Sequence, residues 1–107
     1  MMGIFGFFRQ PDVNRGVEAY HSTPDAVLLD VRSGGEYREG HIPGAINIPL
    51  PKLEGIAAVV LSYETPLFVY CYSGARSAQA TDRLQKMGYQ KVQNIGGIAT
   101  WKGDVER

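Results

Sequence analysis

The chain's single cysteine lies in Tyr70-Cys71-Tyr72-Ser73-Gly74-Ala75-Arg76-Ser77, which gathers a thiol, a glycine, a guanidinium and two serine hydroxyls. Those residue types suit an anion held at sulfur. Upstream, Leu67-Phe68-Val69-Tyr70 follows Pro66 and has the apolar, aromatic composition of a buried strand. Downstream, Ala80, Leu84 and Met87 recur at helical spacing, and Gly88 stands where a helix would stop. The spacing predicts strand, loop and helix, with Cys71 at the mouth of the loop. The first N–H groups of a helix have no intrahelical partners and face whatever the loop holds. A free thiol with a pKa of about 8.5 is only a few per cent thiolate at neutral pH. The loop backbone from Tyr72 through Ala75 to Ser77, together with the Arg76 charge, should favour the anion and lower that pKa. Gly74 lets the backbone curl around one atom. Ser73 and Ser77 can add donors without filling the cradle, while Tyr72 and Ser73 should point outward and form its rim.

The remaining segments must position this loop. Pro11-Asp12 reads as a helix start, with Val13, Val17 and Tyr20 as its apolar stripe. Val27-Leu28-Leu29 reads as a strand buried on both faces. Ser33-Gly34-Gly35-Glu36 has the spacing of a capping box, so a short helix should follow. Ala45-Ile46-Asn47-Ile48 reads as a strand closed by Pro49, and Leu53, Ile56, Ala57 and Val60 trace a helical stripe. Val92-Gln93-Asn94-Ile95 is the last expected strand, and Gly96-Gly97 leads into a helical turn around Trp101, a core anchor. The alternation predicts an α/β fold: an open, mainly parallel sheet of four to five strands flanked by helices. The fifth strand would be the apolar segment Met1 to Phe8, whose other readings are a flap over the core and a membrane or partner contact. Ligands of such sheets bind beyond the carboxyl ends of the strands. Cys71 lies at one such end, and Asp30 and Arg32 lie at another, so one shared pocket is expected. The alternative for Asp30 and Arg32 is an ion pair holding the next turn.

The 107 residues suit one domain over 1–107, and eleven basic against eleven acidic residues give no net charge. That balance argues against a nucleic-acid or anionic-membrane partner. One cysteine allows no intrachain disulfide, and no leader or spanning segment is apparent, so a cytoplasmic location is expected. No Cys/His cluster or dinucleotide fingerprint occurs, and neither metal nor organic cofactor is expected. The protein should be a monomer or a weak homodimer. His41 reads as structural, His21 as a charge at a helix end and Glu36 as a capping residue.

Cys71-x-x-Gly74-x-Arg76-Ser77, Leu29-Asp30-Val31-Arg32 with Glu36-Tyr37, Gly40-His41-Ile42-Pro43-Gly44-Ala45-Ile46-Asn47-Ile48-Pro49, and Gly96-Gly97-Ile98 with Trp101 together resemble the rhodanese family of sulfurtransferases. The resemblance covers residues 26–101. It implies that Cys71 takes the outer sulfur of a small donor such as thiosulfate, holds it as a persulfide, and passes it to cyanide, a thiol or a protein acceptor. Cys71 and Arg76 would then be catalytic, with the rest of the loop, Asp30 and Arg32 binding substrate. A second reading is a binding, redox-sensing or sulfur-carrier module on the same fold. A third is a cysteine-dependent phosphatase, whose loop is Cys-x5-Arg; the loop here is Cys-x4-Arg, one residue short of that needed around a phosphate. The lone cysteine also leaves no internal thiol to complete a dithiol cycle.

Overall fold

The computed structural model describes residues 10–107. The element expected within Met1 to Phe8 lies outside them. Helix α1 (Val13–His21) is capped by the Asp12 carboxylate, which accepts the Asn14 N–H. Strand β1 (Val27–Asp30), helix α2 (Gly34–Glu39) and strand β2 (Ile46–Asn47) follow. The expected capping box forms in full: Ser33 Oγ accepts the Glu36 N–H, and Glu36 Oε1 accepts the Ser33 N–H. A 3₁₀ segment (Leu50–Ala58), strand β3 (Leu67–Cys71), helix α3 (Ala75–Lys86) and strand β4 (Val92–Gly97) complete the frame, with a closing 3₁₀ turn at Ile98–Thr100. The four strands form one parallel sheet in the order β2-β1-β3-β4.

Two expectations change in detail. The stripe at Leu53, Ile56, Ala57 and Val60 belongs mostly to a 3₁₀ segment, and only Leu53, Ile56 and Val60 are buried. Leu53 and Ile56 are three apart, the spacing that lines up in a 3₁₀ turn, and Ala57 is left in water. Trp101 is only partly buried; it packs on the edge of the core and donates its indole N–H to the Asp104 carbonyl at 2.8 Å.

The sheet separates two apolar cores. Leu29, Leu67, Val69, Ala80 and Leu84 pack on the α3 face, and Val13, Val17, Leu28, Phe68 and Ile95 on the α1 face. Side chains alternate along a strand, so β3 sends Leu67, Val69 and Cys71 to the α3 face and Phe68 and Tyr70 to the other. The period of two thus places the thiol beneath the start of α3. Burying each large aliphatic side chain contributes about 1.5–3 kcal/mol, so both faces hold this register firmly. No helix among the described residues is long and apolar enough to cross a membrane.

Candidate active site

Cys71 ends β3, and the chain turns through Tyr72, Ser73 and Gly74 into α3. The turn needs a left-handed residue at the helix N-cap, and Gly74 supplies it with φ of +108°. Its N–H donates to Cys71 Sγ at 3.0 Å, and Ser77 Oγ lies 3.4 Å from the same sulfur. Burial opposes the thiolate, but the Ser77 hydroxyl and the backbone N–H groups of Ser77, Gly74 and Ser73 outweigh it and hold the thiol below its ordinary pKa. Of the cradle expected between Tyr72 and Ser77, the Gly74 N–H and the Ser77 hydroxyl reach the sulfur. Cys71 is only 1% exposed, so a donor must present a narrow terminal atom to reach it.

The loop leans on β4. That strand carries one residue more than β3 between its pairings, since Val69 faces Asn94 while Tyr70 faces Gly96. The extra residue, Ile95, turns into the α1-face core, and Asn94 falls on the Ser77 side. Asn94 Oδ1 lies 2.7 Å from Ser77 Oγ and accepts the Gly96 N–H at 3.0 Å, while its Nδ2 donates to the Gly74 carbonyl at 3.3 Å. Gly97 is required by close approach: a Cβ there would stand 1.9 Å from the Tyr72 carbonyl oxygen. The loop's outer face borders a groove of about 540 Å³ whose lining includes Tyr72, Ser73, Gly74, Ala75, Asn94 and Gly97. Tyr72 is 55% exposed at this rim, the position expected of it.

Arg76 is engaged elsewhere than the sequence suggests. Its guanidinium grips the Glu36 carboxylate with two bonds, 2.7 and 3.1 Å long, and joins α3 to α2. These bonds hold Glu36 at a pKa of about 2, and Glu36 is thus both cap and clamp. Support of the sulfur anion falls mainly to Ser77 and the backbone, with Arg76 acting from behind a carboxylate.

Asp30 and Arg32 form a closed pair, the arrangement named as the alternative to a pocket shared with Cys71. Arg32 Nη2 lies 2.7 Å from Asp30 Oδ2, its Nε bonds both carboxylate oxygens at 3.1 Å, and its backbone N–H reaches Oδ1 at 2.9 Å. Arg32 Nη2 also donates to the Gly40 carbonyl at 2.8 Å, and the two side chains are 0% and 6% exposed. The register explains the separation. Asp30 pairs with Tyr70, whose side chain belongs to the α1 face, and Arg32 sits 5.8 Å over the Tyr70 ring. Their strand ends coincide with that of Cys71, but their face does not. His41 is likewise structural, stacked on Tyr37 with ring centroids 3.7 Å apart. The residue that the sequence reading left unassigned is Asn94. Its signal is a polar residue in an apolar strand two places before a glycine pair.

Residues 15–104 match the sequence profile of the Rhodanese-like domain. The thiosulfate sulfurtransferase PspE of Escherichia coli (strain K12) is 44% identical over 71 residues, 65% of this chain and 68% of PspE. YrkF of Bacillus subtilis (strain 168), a candidate sulfur carrier protein, is 39% identical over 80 residues, 74% of this chain but only 43% of YrkF. The chain thus spans less than half of that relative. Among solved structures, a rhodanese with anions from E. coli superposes with a TM-score of 0.72 at 37% identity, covering 77% of this chain and 98% of that one. The parallel sheet, the cysteine loop and the match over residues 15–104 agree: the protein belongs to the rhodanese-like domain family.

Proposed function

We propose that this protein moves sulfane sulfur through a persulfide on Cys71. The general class, a sulfurtransferase enzyme, follows from the family and from a relative of that activity at 44% identity; the donor, the carrier step and the acceptor are our reading. The observation that carries it is the sulfur of Cys71 lying within a ring of donors, with Gly74 N–H at 3.0 Å and Ser77 Oγ at 3.4 Å. The thiolate attacks the outer sulfur of the donor. A new S–S bond forms at Cys71, the donor's S–S bond breaks, and sulfite or a thiolate leaves with the bonding pair. The loop N–H groups then face the persulfide. In the second half, a thiol or cyanide takes the outer sulfur, and Cys71 departs as thiolate.

The guanidinium groups of Arg76 and Arg32 already hold carboxylates, those of Glu36 and Asp30. Attraction for the thiosulfate dianion therefore rests on the N–H cradle, and a persulfide of a small thiol or a protein suits the uncharged Tyr72 rim better. A lone nucleophilic thiol works only while reduced, so we place the reaction in the cytoplasm. A carrier role is the second reading, favoured by the likeness to YrkF.

Intact mass spectrometry tests the proposal. Incubation with thiosulfate or with glutathione persulfide should add one sulfur atom, which dithiothreitol removes. Cys71→Ser should show no gain while staying folded. A protein that gains no sulfur from either donor is not a sulfurtransferase of this kind.

A further inference from the structure

The Ser77 hydroxyl is fully buried and has one proton to donate, yet four acceptors surround it. They are Asn94 Oδ1 at 2.7 Å, the Gly74 carbonyl at 3.1 Å, the Gly96 carbonyl at 3.3 Å and Cys71 Sγ at 3.4 Å. Turning the Asn94 amide does not relieve the contest. Its Oδ1 receives the Gly96 N–H and its Nδ2 faces the Gly74 carbonyl, so a turned amide would set donor against donor. Asn94 therefore competes with the sulfur for a single proton, and it is the nearer of the two.

We propose that Asn94 is a positioning residue for Cys71, holding the Ser77 hydroxyl and, by competing for its proton, setting how strongly Ser77 supports the sulfur anion. The inference rests on the reading of Cys71 as nucleophile. With Cys71 as a thiol, its S–H donates to Ser77 Oγ, which donates to Asn94 Oδ1. When the thiol proton leaves to solvent, the Ser77 O–H turns to the thiolate, and Asn94 Oδ1 keeps the Gly96 N–H. Once Sγ carries a second sulfur the charge moves outward, and the hydroxyl turns back. It meets Sγ again when Cys71 departs in the second half-reaction. One rotating proton thus serves both transfers, and Asn94 takes it up between them.

The other charges around the sulfur are accounted for. Arg76 of α3 is paired with Glu36 of α2, and Asp30 at the end of β1 is paired with Arg32. Strand β4, Val92–Gly97, contributes no titratable side chain. These groups are the same in every variant and cancel in a double-mutant cycle.

The cycle follows alkylation of Cys71 by iodoacetamide against pH, with ultraviolet thiolate absorbance as a second readout and circular dichroism as the check on folding. Ser77→Ala should raise the midpoint and lower the thiolate fraction at neutral pH roughly tenfold, the usual size for one hydrogen bond to an anion. Asn94→Asp, whose carboxylate grips the Ser77 proton harder, should also raise it. In the double variant the added rise should shrink by about half or more, leaving only the through-space charge. Asn94→Ala is the second arm: it should lower the midpoint when Ser77 is present and not when Ser77→Ala accompanies it. Additive shifts, or equal rises from Asn94→Ala in both backgrounds, overturn the proposal and leave Asn94 a structural residue. Neither readout needs a sulfur donor. Non-additive shifts in a protein that takes up no sulfur would uphold this inference and sink the sulfurtransferase reading; additive shifts in a protein that loads sulfur would do the reverse.

Discussion

Two buried polar groups occupy the carboxyl end of the sheet, on opposite faces of neighbouring strands. On the α1 face, Asp30 and Arg32 neutralise one another, and Arg32 also meets the Gly40 carbonyl. On the α3 face, the Cys71 sulfur, Ser77 and Asn94 share too few protons for their acceptors. The first is satisfied in one arrangement and so fixes structure, tying β1 to the turn that follows. The second has two arrangements of nearly the same atoms, and an anion at sulfur selects between them. Asp30, Arg32, Cys71 and Ser77 are all buried and Asn94 is half-buried; what separates an architectural site from a chemical one is whether the hydrogen bonding is already complete.

The comparison breaks first, and most visibly, at Arg32. Arg32→Ala leaves the Asp30 carboxylate buried without its cation, and should destabilise the protein by about 3–5 kcal/mol in chemical denaturation. Replacing both partners by apolar residues of similar volume, Asp30→Leu with Arg32→Met, should recover much of that loss. The folded fraction of either variant should still load sulfur on Cys71. If Arg32→Ala costs little stability but ends sulfur loading, the pair contacts substrate after all, and the contrast between the faces fails.

A smaller loss of stability with a larger loss of chemistry is expected at Gly74. A Cβ there would lie 3.5 Å from Gly96 Cα, an ordinary contact, so the damage comes from the backbone at φ of +108°. Holding an alanine in that region costs about 1–2 kcal/mol. Relaxing it swings the Gly74 N–H off the sulfur. Gly74→Ala should therefore slow alkylation at neutral pH and cut sulfur transfer on the order of a hundredfold, as expected of a misplaced reacting group. Wild-type transfer by a folded Gly74→Ala protein would mean that this donor is not part of the cradle.

Much of this contrast was open to reading from residues. Val27–Leu29 and Leu67–Tyr70 announce strands by composition, the Ser33-x-x-Glu36 spacing announces its capping box, and Cys71 before Gly74 announces a thiol at a strand end. Each is local, decided within a few residues. The face on which Asp30 lies required the register Asp30 to Tyr70, which joins residues forty apart. Once β3 is placed, counting alternate residues gives the answer, since Tyr70 and Cys71 must point oppositely. The Arg76–Glu36 clamp, also forty residues apart, and the Asn94–Ser77 contact, seventeen apart, carry no local signature. Arg76, five residues beyond Cys71, reads as a free cation until the helix of Glu36 is packed against it.

The smallest effect belongs to that clamp, and it sharpens the comparison because Glu36 stands between the closed and the open site. Its folded pKa of about 2 lies below the ordinary value of 4.5, so its contribution to stability is fully present above pH 4.5 and is lost as pH falls towards 2. With 38% of the Arg76 side chain and 34% of that of Glu36 in water, the pair is screened, and its worth is under about 1 kcal/mol. Glu36→Gln should remove most of that acid dependence between pH 4.5 and 2, measured as the change in denaturation midpoint with pH. The capping half survives, since the amide oxygen can still accept the Ser33 N–H. The same variant frees the Arg76 charge to act on the cradle, so the alkylation midpoint of Cys71 should fall slightly. A rise in that midpoint would mean that Glu36 positions Arg76 for the sulfur rather than shielding it. The clamp would then belong to the chemical site and not to the scaffold.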